Sequence, residues 1–353
     1  MTKEHTNICK GLAILMMYMH HLFYSAKTYE GFEVVFAPFS EDRILWLARG
    51  CKICVAIFVL LTGYGYAKSA KMQRQDPQKS DGIKRYFRIM FGFWFIFIIG
   101  QITGFLGRDW IAVYGENLSE RIIYIIIDAL GLANLFGTPT FNPTWWYLTY
   151  AILLVFLTPV IVKLVRKLGG TLIIIAIFLP RVLGIETDTT FMRYFFTLIL
   201  GVYFAEYNIF EKIYAWFKKK RIIEFGIWLL ALIITVFLWY RTKWFSIFDG
   251  CVAICICYCA LRYISHIPIL NKCLAFIGVH SMNLFMLHTF IYSYYFKDFI
   301  YSFRYWWAIL LVLLVSTLFI SVLLEQVKRL IKYNELEANC IKKVTKLVNT
   351  LEN

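Results

Sequence analysis

Apolar runs of about 20 residues recur along the chain at about 8–26, 52–68, 88–106, 145–165, 171–185, 191–208, 222–240, 248–264, 275–296 and 306–325. At ~1.5 Å per helical residue such a run matches the ~30 Å hydrocarbon layer of a bilayer, so the pattern predicts ten membrane spans. A shorter run, IIYIIIDALGLANLF at 122–136, carries Asp128. The polar segments decide whether it crosses. Lys68, Lys71, Arg74, Lys79, Lys84, Arg85 and Arg88 crowd the second connection, and short cation-rich connections stay cytoplasmic. If 122–136 does not cross, Lys163, Arg166 and Lys167 fall on that side too. So do Lys218, Lys219, Lys220 and Arg221, then Arg262 and Lys272, and finally Lys328 and Arg329. The expected fold is therefore all-α: a polytopic membrane helix bundle of about ten transmembrane helices plus one short non-spanning helix on the outer side. Both termini are expected to be cytoplasmic, with an integral-membrane domain over 1–326 and a basic tail over 327–353.

Composition agrees with that class. The 353 residues are 60% hydrophobic and 19% aromatic, too apolar to be covered by one soluble core. The first run reads as a retained anchor rather than a cleaved leader. A net charge of +15 could point to nucleic acid, but these cations sit in the connections between runs, which argues for orientation signals and for the lipid bilayer as partner. The tail alternates Lys, Glu and apolar residues, as expected of a basic helix on the inner leaflet or of a solvated surface. Nine cysteines include Cys51 and Cys54, and Cys251, Cys255, Cys257 and Cys259. They lie in apolar runs without a neighbouring histidine or carboxylate set, so helix filling is expected and no metal. The loop from Lys27 to Arg49 is long enough to cap an external opening, and Pro159 and Pro180 predict kinks.

Candidate chemistry lies in four stretches. In NICKGLAILMMYMHHLF, residues 7–23, Lys10 and His21 are three turns plus ~20° apart, on one stripe and about 16 Å distant; His20 points elsewhere. A histidine in a span either packs against a neighbouring helix or marks a functional site. In FIGVHSMNLFMLHTFIY, 276–292, Ser281 and His288 share a face, Asn283 lies off it, and His288 falls at a depth comparable with His21. In IKRYFRIMFGFWF, Arg85 and Arg88 suit a phosphate clamp, although orientation signals use the same residues. In FNPTWWYLTY, 141–150, Trp145 and Trp146 are interface anchors or a stacking platform for a sugar ring. Thr62, Gly63 and Gly65 permit close helix contact or a local break, while Glu206, Arg193, Asp249 and Asp128 are ion pairs or cavity residues.

Together these stretches resemble the acyltransferase-3 family of integral-membrane acyltransferases, which includes bacterial O-antigen and exopolysaccharide O-acetylases. Its first span carries a basic residue, ten intervening positions and a histidine, matched by Lys10 and His21 with lysine where arginine is common. IFVLLTGYGYA resembles its second span, with Thr62 for the usual serine. KRYFRI resembles the basic start of its third span, NPTWWYLTYAILLVFLTPVI its tryptophan-containing span, and FIGVHSMNLFMLHTFI its closing signature. The five matches keep family order.

The resemblance implies an enzyme of the plasma membrane, in bacteria the inner membrane. Acetyl-CoA serves as acyl donor, and the acceptor is a hydroxyl of a cell-surface glycan or lipid-linked sugar. It makes His21 the catalytic histidine, with Trp146, Ser281 and His288 at recurring positions, and His288 or Asn283 is expected to orient His21 or steady the oxyanion. By the resemblance Lys10, Arg85 and Arg88 become donor contacts; Trp145, Trp146 and His20 are expected on the acceptor side from the sequence itself. The expected partners are acyl-CoA, the acceptor, lipid and a second copy of the chain in a homo-oligomer, with no nucleic acid. Two other classes compete: a proton-coupled transporter or flippase, marked by paired broken spans in two halves of the chain, and a non-catalytic membrane sensor module.

Overall fold

The computed structural model describes residues 1–72, 79–104, 109–218 and 220–352. Of the orientation cations, Arg74 and Lys219 lie outside the described residues, as do the side chain of Lys79 and the last tail residue, Asn353. The chain is all-helical. In order, the helices are α1 (Lys3–Phe23), α2 (Glu41–Gly50), α3 (Cys54–Met72), α4 (Lys79–Thr103), α5 (Trp110–Tyr114), α6 (Leu118–Ala129), α7 (Ala133–Phe136), α8 (Trp146–Leu168), α9 (Thr171–Val182) and α10 (Thr190–Arg193). They continue as α11 (Phe195–Glu206), α12 (Ile209–Trp216), α13 (Arg221–Thr242), α14 (Phe245–Arg262), α15 (Pro268–Val279), α16 (Ser281–Thr289), α17 (Lys297–Tyr301), α18 (Trp306–Leu330) and α19 (Tyr333–Glu352).

Each expected span falls on a helix. Among the described residues six helical segments are long and apolar enough to cross a bilayer, or seven if α15 and the helix after it form one broken span. α1, with 21 residues, and α9 and α11, with 12 each, are not among them, so the ten-span count is not reached by length and composition and rests on the charge pattern. α6 also has 12 residues, too few to span. It starts at Asn117, whose side chain accepts from the Ser119 and Glu120 amides. The residues expected as an outer loop contain α2, because Ile44, Leu45 and Ala48 give 41–50 one buried face. Pro159 and Pro180 lie inside α8 and α9, which continue through them.

Two compact units divide the chain. The first comprises Met1–Met17, Lys52–Gln78 and Phe156–Val279. Glycines let its backbones touch. A Cβ on Gly63 of α3 would lie 2.7 Å from the Leu198 carbonyl oxygen, and one on Gly201 of α11 2.3 Å from that of Leu60. α1 and α15 meet the same way, with Gly11 against Leu274 and Gly278 against Asn7. The charges whose role the sequence left open are paired: Arg193 with Asp249 at 2.6 Å and Arg166 with Glu206 at 3.1 Å. The Asp249 carboxylate also accepts from the Trp239 indole at 2.6 Å. Pairing of this kind is what makes a buried charge tolerable.

The second unit comprises Tyr18–Cys51, Lys79–Val155 and His280–Asn353. Its core joins Phe93 and Phe97 of α4 to Phe141, Trp145, Met286 and Phe290. Gly92 faces Met282 and Gly100 faces Phe290; both partners advance by eight residues, so α4 and α16 run parallel. Asp128, almost fully buried, accepts from the Tyr114 hydroxyl at 2.7 Å, the Thr140 hydroxyl at 2.9 Å and the Phe141 amide at 2.6 Å, and so ties α5 and α6 to the segment leading into α8. α18 runs on to Leu330, past the expected domain end at 326. After Lys332, at φ +55°, the tail turns back as α19. Tyr333 donates to the Phe91 carbonyl at 2.9 Å and packs on Phe91 and Phe95, so the tail helix docks on α4.

Candidate active site

His21 lies in the last turn of α1 and His288 in the last turn of α16, and both belong to the second unit. Their ring centroids are 4.9 Å apart. Beyond His288 the helix widens into a π-helical turn, Phe290–Tyr295, in which the Phe296 amide reaches the Ile291 carbonyl five residues back. Such insertions recur at functional sites because they re-aim side chains. His288 is fully buried between the rings of Tyr18, at 5.7 Å, and Tyr292, at 5.9 Å. Tyr18 is locked in turn: its hydroxyl donates to Thr317 at 2.8 Å, and Thr317 donates to the Leu313 carbonyl.

The hydrogen bonds orient the imidazole. His288 Nδ1 lies 2.7 Å from the Phe285 carbonyl oxygen. A carbonyl only accepts, so Nδ1 carries the proton, and in a neutral ring Nε2 presents its lone pair. Thr144 donates to Asn142 Oδ1 at 2.8 Å, so Thr289 donates to Thr144 at 2.9 Å and turns its oxygen toward Nε2, 3.4 Å away, where it can accept from a protonated ring. A chain of hydroxyls thus links the histidine to the NPTWW segment. His21 is half-buried, with His20 and Tyr292 as further ring neighbours. Two imidazoles in contact, one with a fixed tautomer, can accept, hold and return a proton.

The other candidates disperse. His20 places Nδ1 2.9 Å from the Ala48 carbonyl, which ties α1 to α2. Asn283 sits about 140° around α16 from His288 and donates to Ser321 at 3.0 Å and Glu325 at 2.9 Å. There it joins His280 and Lys328 in a polar cluster on α18 rather than flanking the histidines. Ser281 opens α16 two turns below His288. Trp145 is almost fully buried: its indole donates to the Met286 carbonyl, its ring lies among Phe93, Phe97 and Phe290, and it shares the lining of one cavity with Trp146. Trp146 is half-buried and lines a cavity of about 220 Å³ with Asp128, Asn134, Thr138 and Thr149. Arg85 and Arg88 both lie on α4, and Arg88 opens onto a groove beside α19. Lys10 belongs to the first unit.

Sequence reasoning missed Tyr18, Tyr292, Thr289, Thr144 and Asn142. The first two carry a signal, since Tyr18 precedes His21 by three residues and Tyr292 follows His288 by four, the spacings at which helical side chains meet. The hydroxyl chain has none, because Thr144 and Thr289 are far apart in sequence.

A family model described as an acyltransferase domain matches residues 6–326. No curated protein and no solved structure matches the chain.

Proposed function

The chain belongs to the acyltransferase-3 family, whose members are membrane acyltransferases, and from that premise we propose a histidine-dependent O-acetyltransferase using acetyl-CoA. The acceptor is a hydroxyl of a cell-surface glycan or lipid-linked sugar. The carrying observation is the imidazole pair together with the cation set below it. Since Gly92 faces Met282 and Gly100 faces Phe290, Ile98 is level with His288. Arg88 lies ten residues lower on α4, about 15 Å along the bundle. That interval suits an elongated thioester, its phosphates among the cations and its acyl carbon at the histidines.

His21 acts as general base. It takes the proton of the acceptor hydroxyl as the oxygen attacks the thioester carbonyl. The tetrahedral intermediate collapses with cleavage of the C–S bond, and the thiolate leaves with the proton held by His21. His288 positions the His21 ring through their contact, its own tautomer held by the Phe285 carbonyl. An acyl group carried briefly on His21 is the variant route, in which thioester and alcohol react in turn. The orientation proposed, with both termini cytoplasmic, lets donor and acceptor arrive from opposite faces.

The test is mass spectrometry of surface glycans and lipid-linked sugars from cells expressing the chain or its His21→Ala variant. Added acetyl groups with the wild-type chain and none with the variant are expected. Acetylation unchanged in every fraction would overturn the proposal.

A further inference from the structure

Lys84 and Arg88 stand one turn apart on α4, and Lys342 and Lys346 one turn apart on α19, so each pair forms a short cationic stripe. The two stripes line a single cavity of about 880 Å³ between the helices. Asn334 and Thr345 add hydrogen-bonding groups to its wall, and Glu337 is its one carboxylate. Lys84 is engaged by Asp81 at 3.5 Å within α4. Among the described residues no carboxylate stands within ion-pair distance of Arg88, Lys342 or Lys346. Burial pushes the Glu337 carboxyl up, opposed by Arg88 and Lys328 and aided by Glu325. Four cations converge on a space large enough for a nucleotide. Half of them come from a helix beyond the matched acyltransferase domain, which ends at residue 326.

We propose that α19 is a wall of the donor site, with Lys342 and Lys346 joining Lys84 and Arg88 to hold the phosphorylated adenosine end of coenzyme A. This rests on the acyl-CoA reading above. Coenzyme A carries a pyrophosphate and a 3′-phosphate at one end, and a groove with one guanidinium fork and three ammonium groups offers both bidentate and point-charge contacts. The docking of Tyr333 on Phe91 and Phe95 fixes the register between the stripes, so the tail acts as part of the transferase. An anionic lipid headgroup shares the phosphate chemistry, and the experiment separates the two sources.

The full chain in phosphatidylcholine nanodiscs is titrated with coenzyme A and with adenosine 3′,5′-bisphosphate. Lys342→Ala/Lys346→Ala should weaken both about tenfold with an unchanged melting temperature, and Lys342→Arg/Lys346→Arg should restore them. Equal binding by wild type and the alanine variant, with Arg88→Ala still weakening it, overturns the inference and leaves the proposed function standing. Loss of phosphatidylglycerol retention in the alanine variant at unchanged coenzyme A affinity assigns the groove to lipid and also overturns it. A wild-type chain that binds no coenzyme A removes the acyl-CoA reading itself.

Discussion

The hydroxyl chain behind His288 gives the site a handle separate from either histidine. If Thr289 and Thr144 hold the Nε2 side of the ring, Thr289→Val keeps the shape and removes the link. The expected result is a fall in kcat of about tenfold at unchanged KM for the donor, read in a steady-state assay of purified protein. Tyr292→Leu, which removes a ring stacked on His288 and near His21, should lower kcat in the same direction. Counting residues inward along two helices was enough to expect His21 and His288 at one depth, because helical rise is regular. Azimuth was the harder quantity. Asn283 is only five residues from His288, yet those five turn it toward Ser321 and Glu325. Trp145 reads from its motif as an interface anchor or a stacking platform; its burial among Phe93, Phe97 and Phe290 is not legible there, because those neighbours come from distant runs.

Small residues decide how closely the helices pack. A methyl group on Gly201 would meet the Leu60 carbonyl oxygen, and one on Gly278 that of Asn7. The obstruction is backbone in each case, so relief requires a helix to move. Gly201→Ala and Gly278→Ala should each destabilise by about 1–3 kcal/mol, seen as a lower melting temperature in detergent, while Gly65→Ala, with nothing near its Cβ position, should be neutral. Asp128→Ala strands a hydroxyl pair and the Phe141 amide, at a cost of about 3 kcal/mol. Apolar run length made most of these helices legible. α2 escaped notice because its buried face is only Ile44, Leu45 and Ala48 between charged residues; α19 was expected as a basic helix, but alternating charge does not say what a helix packs on.

The matched acyltransferase domain, residues 6–326, takes in most of both units and leaves out α19, so the transferase reading applies to both units while the histidine pair belongs to the second. The orientation deduced from the cations is checkable with native thiols. Cys273 on α15 is exposed and Cys340 lies on α19; each sits beside a connection or tail assigned to the cytoplasm. A membrane-impermeant maleimide should label them in inside-out vesicles and not in intact cells. Labelling of either in intact cells would reverse that end of the chain.

What decides the account is whether the imidazole of His21 is needed once a thioester is bound. Purified chain in nanodiscs, given acetyl-CoA labelled in the acetyl group and an extract of lipid-linked and surface glycans, reports transfer and donor affinity together. His21→Ala should lose transfer by at least about a hundredfold while binding coenzyme A as tightly as wild type. Transfer at the wild-type rate by that variant would contradict the account.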